Sequence, residues 1–179
     1  MFKLETDRLI LRDMSLEDEC AFVAMSQDVK YQRFYDESDC EPNKYRELTQ
    51  LFVAQALEVP RRSFQLVVES KDSGKFIGTV CLRLEGERQA SMGCAFSREI
   101  QGKGLSIEAS EALADFGFSE LGIHRIYAET ISKNLAAIKL CKSMGMKQEA
   151  CFKDHRFLEG QWWDTVVLAV LRSDWKKAW

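Results

Sequence analysis

A chain of 179 residues, 46% apolar and 30% charged, can bury a core without disulfide or metal support and is too apolar to remain disordered. Its 25 Lys and Arg against 28 Asp and Glu leave a net charge of −3, which argues against a general nucleic-acid binder. No apolar run approaches the roughly 18 residues of a membrane span, and the opening MFKLETDRLILRD lacks the apolar stretch of a secretory leader, so a cytoplasmic protein is expected.

Residues 8–12 read as a short strand. Ser15 ahead of Glu17, Asp18 and Glu19 has the form of a capped helix start, with Phe22 and Met25 as its apolar set. Residues 1–50 hold 7 Lys and Arg against 12 Asp and Glu, net −5, whereas the remainder, 18 against 16, is +2. Much of the excess acid lies in Asp36-Glu37-Ser38-Asp39-Cys40-Glu41, which reads either as a solvated loop or as an acidic approach for a cationic substrate. A helix is expected after Pro42 from the spacing of Leu48, Leu51, Phe52 and Ala56.

The middle of the chain predicts β structure. Residues 64–69 and 76–84 flank the turn Lys71-Asp72-Ser73-Gly74, and residues 90–96 follow a second turn, which gives an antiparallel meander. Leu105, Ala109, Ala112 and Phe116 then step at helical spacing, and residues 123–131 read as a strand. Asn134 caps a further helix bearing Ala137, Leu140, Cys141 and Met144, stopped at Gly145. Residues 146–152 and 163–171 read as the last strands. The order predicts an α+β fold, a mixed and mostly antiparallel sheet flanked by helices, in a single domain over residues 1–179 with one βαβ step in its second half. Six cysteines without CxxC spacing and only two histidines predict no metal site, the thiols reading as small buried hydrophobes.

The segment with chemical content is Cys94-Ala95-Phe96 through Gln101-Gly102-Lys103-Gly104-Leu105-Ser106, a strand running through a two-glycine turn into a helix. Glycines let the backbone approach a ligand, and the unpaired amides of a helix start accept an anion such as a pyrophosphate. The turn supplies neither GxxxxGK[ST] nor GxGxxG in a parallel context, so nucleoside-triphosphate and dinucleotide sites are disfavoured.

Gln101-x-x-Gly104-x-Ser106 resembles the Q/R-x-x-G-x-G/A acyl-CoA motif of the GNAT superfamily of N-acetyltransferases, with Ser106 at a Gly/Ala position. The stretch 134–146 is similar to the second GNAT signature, N-x-x-A-x-x-x-Y-x-x-x-G-F, with Cys141 for tyrosine and Met146 for phenylalanine. The segments 4–12, 121–126 and 160–164 resemble the ribosomal-protein-alanine and -serine N-terminal acetyltransferases and their relatives, a branch that also acts on polyamines, antibiotics and other small amines.

This resemblance implies the GNAT fold and transfer of an acetyl group from acetyl-CoA to a primary amine, with a protein N-terminal α-amine as the first acceptor class and small-molecule amines as the alternative. A non-catalytic acyl-CoA-binding protein is a further alternative, resting on the missing tyrosine. The resemblance assigns Cys94, Ala95 and Phe96 to the pantetheine arm and thioester. It assigns Gln101, Gly102, Lys103, Gly104, Leu105 and Ser106 to the pyrophosphate, Asn134 to the pantetheine, and Lys142, with Lys139, to the CoA phosphates. Phe34, Tyr35, Asp36 and Glu37 are assigned to the acceptor. Cys141 is the candidate donor to the leaving thiolate, its rival role being core packing. Glu108 is the candidate base, its rival role being a charge at the helix start; His155 and Asp164 are other candidates. Neither nucleic acid nor membrane is an expected partner, and the protein is expected as a monomer or homodimer.

Overall fold

The computed structural model describes residues 1–100 and 102–175. Its helices are α1 (Glu19–Ser26), α2 (Val29–Gln32), α3 (Pro42–Ala56), α4 (Leu105–Ser119) and α5 (Leu135–Ser143). Its strands are β1 (Lys3–Glu5), β2 (Leu9–Asp13), β3 (Ser63–Ser70), β4 (Phe76–Leu84), β5 (Gln89–Phe96), β6 (Arg125–Ile131), β7 (Lys147–Leu158) and β8 (Gln161–Leu171). They form one sheet in the order β1-β2-β3-β4-β5-β6-β8-β7. All neighbours are antiparallel except β5 and β6, which α4 joins as a parallel pair.

Helices cover both faces. Leu66 and Val68 of β3 point into a core shared with Ala109 and Leu113 of α4 and Cys141 of α5. Val67, one residue on and therefore on the opposite face, packs with Phe22 of α1 and Tyr45 of α3. This two-sided cover explains why the middle of β3 is buried without alternation.

Several expectations shift in detail. The first helix is preceded by a 3-10 turn, Leu16–Asp18, whose Asp18 completes a capping box with Ser15. The acidic stretch also coils, with Glu37–Cys40 as a 3-10 turn leading into Pro42 at the start of α3. On α4 the buried stripe runs through Ala109, Leu113, Ala114 and Phe118, with Leu105, Ala112 and Phe116 packed at its flank. β7 is much longer than residues 146–152, because it is an exposed edge strand with little apolar alternation to signal it. It turns into β8 at Glu159 and Gly160, both at positive φ (49° and 75°), as a two-residue hairpin requires. β1 was not foreseen; three residues of mixed character carry no periodicity. No helix among the described residues is long and apolar enough to cross a membrane.

Candidate active site

β5 and β6 are in register at only three positions, Gln89↔Arg125, Ala90↔Ile126 and Ser91↔Tyr127, and beyond these no register pairs them. The hydrogen-bond phase of each strand then decides what the opening offers. Ser97 N donates to Ile77 O at 2.9 Å and Glu85 N donates to Gln89 O at 2.8 Å, so odd-numbered residues of β5 turn their backbone toward β4. Met92, Cys94 and Phe96 therefore aim their amides and carbonyls into the split. On the other bank Arg172 N donates to His124 O at 2.8 Å, which turns the even residues of β6 toward β8 and leaves Glu129 and Ile131 facing the split.

A cavity of about 730 Å³ occupies this opening and runs through the sheet. On the α5 side it is walled by Met92, Cys94, Ala128, Thr130, Asn134, Ala137, Leu140 and Cys141. On the α1–α3 side it is walled by Phe22, Tyr31, Tyr35, Tyr45, Leu48, Leu51, Phe52 and Gln55, over a floor of Gln65, Thr79, Cys81, Arg83, Ser91, Gly93, Ala95, Tyr127 and Glu129. Among the described residues of this lining, Glu129 carries the one carboxylate and Arg83 the one guanidinium.

Past Phe96 the chain enters the glycine turn. Gln101 lies outside the described residues. Gly102 and Gly104 both adopt positive φ, 78° and 72°, and Lys103 between them is exposed. Glu108 N donates to Gly104 O at 3.2 Å, so the amides of Leu105, Ser106 and Ile107 ahead of it have no acceptor within the helix and form an anion-binding end. Arg8 braces this turn. Its Nη1 donates to Lys103 O at 2.9 Å and its Nε to Glu108 Oε2 at 2.6 Å.

That brace decides the place of Glu108. Its carboxylate also accepts from Thr6 Oγ1 at 2.6 Å and from Arg8 N at 3.0 Å, and it does not line the cavity. Burial pushes its pKa up, but the hydrogen bonds from Thr6 and Arg8 outweigh that and hold the carboxyl below its usual value. A carboxylate committed to three donors and set away from the cavity is a structural clamp, so the expectation of a base at Glu108 is corrected.

The remaining predicted residues separate into two groups. Cys94, Ala95, Asn134, Cys141 and Tyr35 meet at the cavity. Ala95 contributes its side chain, because its backbone is turned to β4. Asn134 Oδ1 caps α5 by accepting from Ala137 N at 3.2 Å, and the residue lines the cavity. Cys141 is buried, and desolvation raises its pKa, so it is a thiol at neutral pH. Phe34, Asp36 and Glu37 are not part of the lining, nor is exposed Lys142, which stands with Lys139 toward the far end of α5. Asp39 is ion-paired with Lys44 of α3. His155 Nδ1 is 3.1 Å from Thr165 Oγ1, and Asp164 accepts from Lys153 Nζ at 2.7 Å and from Asp154 N at 3.1 Å; neither lines the cavity.

Sequence reasoning missed Glu129, Tyr31, Tyr45 and Gln55. Glu129 is one acid among many until its place on β6 sets its side chain in the lining of the cavity.

The match to known proteins agrees with this geometry. Residues 8–147 match the acetyltransferase (GNAT) domain family. The chain is 26% identical to the uncharacterized N-acetyltransferase YnaD of Bacillus subtilis (strain 168), over 96% of this chain and 98% of that protein. It is 27% identical to the ribosomal protein uS5-alanine N-acetyltransferase of Escherichia coli (strain K12), over 97% of this chain and 92% of that protein. The solved structure of spermidine N-acetyltransferase from Vibrio cholerae, in complex with CoA and spermine, superposes with a TM-score of 0.80 at 23% identity, covering 95% of this chain and 99% of that one. The splayed parallel pair, with its cavity beside a glycine turn at a helix start, is the candidate active site of this fold, and the chain belongs to the GNAT family of N-acetyltransferases.

Proposed function

We propose that this N-acetyltransferase takes its acetyl group from acetyl-CoA and delivers it to the α-amine of a protein N-terminus. The observation that carries the reading is the single cavity that passes through the sheet, because it lets a donor on the α5 side and an acceptor on the α1–α3 side meet at one point. Acetyl-CoA would supply the acetyl thioester. The residues suit it: Cys94 and Phe96 offer a free backbone edge for an extended amide arm. The glycine turn, braced by Arg8 and bearing Lys103, offers donors and positive charge for a pyrophosphate.

On the acceptor side Glu129 is the base. An ammonium has no lone pair, and Glu129, the one carboxylate among the described residues of the lining, is the group able to take its proton. Backbone amides of β5 at the split supply donors for a developing oxyanion. Cys141, on the opposite side and still protonated, holds the proton that a departing thiolate needs.

The N-terminal acceptor draws support from the likeness to the uS5-alanine enzyme over nearly the whole of both chains. The lining adds a physical argument. A polyamine brings several ammonium groups, and this cavity meets them with one carboxylate and an arginine. A thiol-release assay with acetyl-CoA tests the reading, using peptides with free N-termini, the same peptides N-terminally blocked, spermidine and aminoglycosides. Turnover confined to free N-termini is the expected result; turnover of spermidine or an aminoglycoside in preference to every peptide would assign the enzyme to small amines.

A further inference from the structure

We infer that the acceptor's first residue is large and apolar, and that the helical wall of the cavity selects it. This rests on the N-terminal reading above and narrows it.

The acceptor half has two unlike surfaces. The strands give a polar floor, with Gln65, Thr79, Arg83 and Glu129. The helices give a wall mostly of rings and aliphatic carbon, with Phe22, Tyr31, Tyr45, Leu48 and Phe52, broken by the amide of Gln55, whose buried Oε1 has no hydrogen-bond partner among the described residues. The rings hold one another. Phe22 lies 4.8 Å from Tyr45 and 6.0 Å from Phe52 between centroids, and Tyr31 meets Tyr45 edge-on at 6.2 Å. Tyr45 donates its hydroxyl to Tyr31 at 2.9 Å, so its proton is used within the wall. Burial raises the pKa of both, that of Tyr45 to about 12, so the wall carries no charge at neutral pH. At the rim, Tyr35 and Leu51 remain 39% and 48% exposed, apolar surface that an arriving side chain would remove from water.

With the amine beside Glu129, the peptide backbone and the first side chain divide between the two surfaces, and polarity sends the backbone to the polar floor and an apolar side chain to the ring wall. Leu, Met or Phe covers the wall and rim; Ala or Ser leaves them wet.

The experiment is steady-state thiol release with the full-length enzyme, acetyl-CoA and peptides that differ only in a first residue of Ala, Ser, Leu, Met or Phe, with spermidine alongside. Apolar pockets discriminate side chains differing by a methylene by about 10–200-fold, so kcat/KM for the Leu, Met and Phe peptides should exceed that for Ala by at least about ten-fold. The double variant Tyr35→Ala, Leu51→Ala should bring the Leu-to-Ala ratio down by about five-fold or more, with KM for acetyl-CoA reporting an intact enzyme, and Leu51→Met should keep the ratio. Equal or better use of the Ala and Ser peptides overturns the inference and leaves the N-terminal reading standing. A preference unmoved by the double variant overturns the assignment to this wall. Turnover of spermidine with no peptide used overturns the N-terminal reading and the inference together.

Discussion

Cys141 and Glu129 both line the cavity, and each can be tested by a single substitution. Cys141→Ala should lower kcat by at least about ten-fold, at the low end of what proton donation contributes, while Kd for acetyl-CoA barely moves. A normal kcat with a lowered melting temperature would make the thiol a packing residue only. Glu129→Gln keeps the shape and removes the proton acceptor, so kcat should fall by about 100-fold with acetyl-CoA affinity unchanged. Glu108 predicts a different signature. Its folded pKa is depressed, so the stability it contributes is present above its unfolded pKa of about 4.3 and is lost as the pH falls through the folded value. Glu108→Gln should therefore melt lower than the parent at pH 7, and the two melting temperatures should converge as the pH falls through the folded value. A constant gap across that range would remove the carboxylate's charge from the account.

At the scale of elements, the turn into α4 depends on backbone conformation rather than on space. A Cβ on Gly104 would meet nothing nearer than Arg8 Nη2 at 3.6 Å, but φ is +72°. A left-handed non-glycine residue costs about 1–2 kcal/mol, which for a chain of this size is a melting temperature lower by about 3–6 °C. Gly104→Ala should show that drop together with weaker acetyl-CoA binding by calorimetry; unchanged affinity would detach the turn from the cofactor. Gly78 of β4 is the contrasting case, where crowding decides. A Cβ there would sit 2.4 Å from Ala95 O and from a ring carbon of Phe96, so β4 and β5 close only over a hydrogen. Nothing in the sequence around Gly78 distinguishes it from a tolerated strand glycine. The helices after Pro42 and Asn134 were legible because a proline at the helix start and a capping side chain act within a few residues. The register of β7 was not, since an exposed edge carries no apolar pattern.

Across the whole molecule, the site exists because α4 carries the chain from β5 to a parallel β6 that meets it only near one end. The two banks are tied by β4 on one side and β8 on the other, so the split is held open by the sheet itself. A ligand lying in it would bridge both halves and stabilise the native state by mass action. Acetyl-CoA at 100 times its Kd contributes about 2.7 kcal/mol, so the melting temperature should rise by about 5–10 °C. Absence of any shift at millimolar acetyl-CoA would contradict the cofactor reading.

The sequence alone determined what is local. Glycines 102 and 104, the start of α4 at Leu105, the cap at Asn134 and most strands follow from periodicity and turn chemistry, which act over a few residues. Tertiary structure decided what depends on distant partners. Glu108 looked free in sequence, and Thr6 and Arg8, about a hundred residues away, claimed its carboxylate. Asp36 and Glu37 looked like an entrance, and the turn before α3 leaves them outside the cavity wall. Glu129, Tyr31 and Tyr45 acquire a place only when β5 and β6 part and α1–α3 close over one face. Charge and side-chain type are written in the chain; which groups share a cavity is set by strand phase and helix packing, and neither is encoded by any single segment.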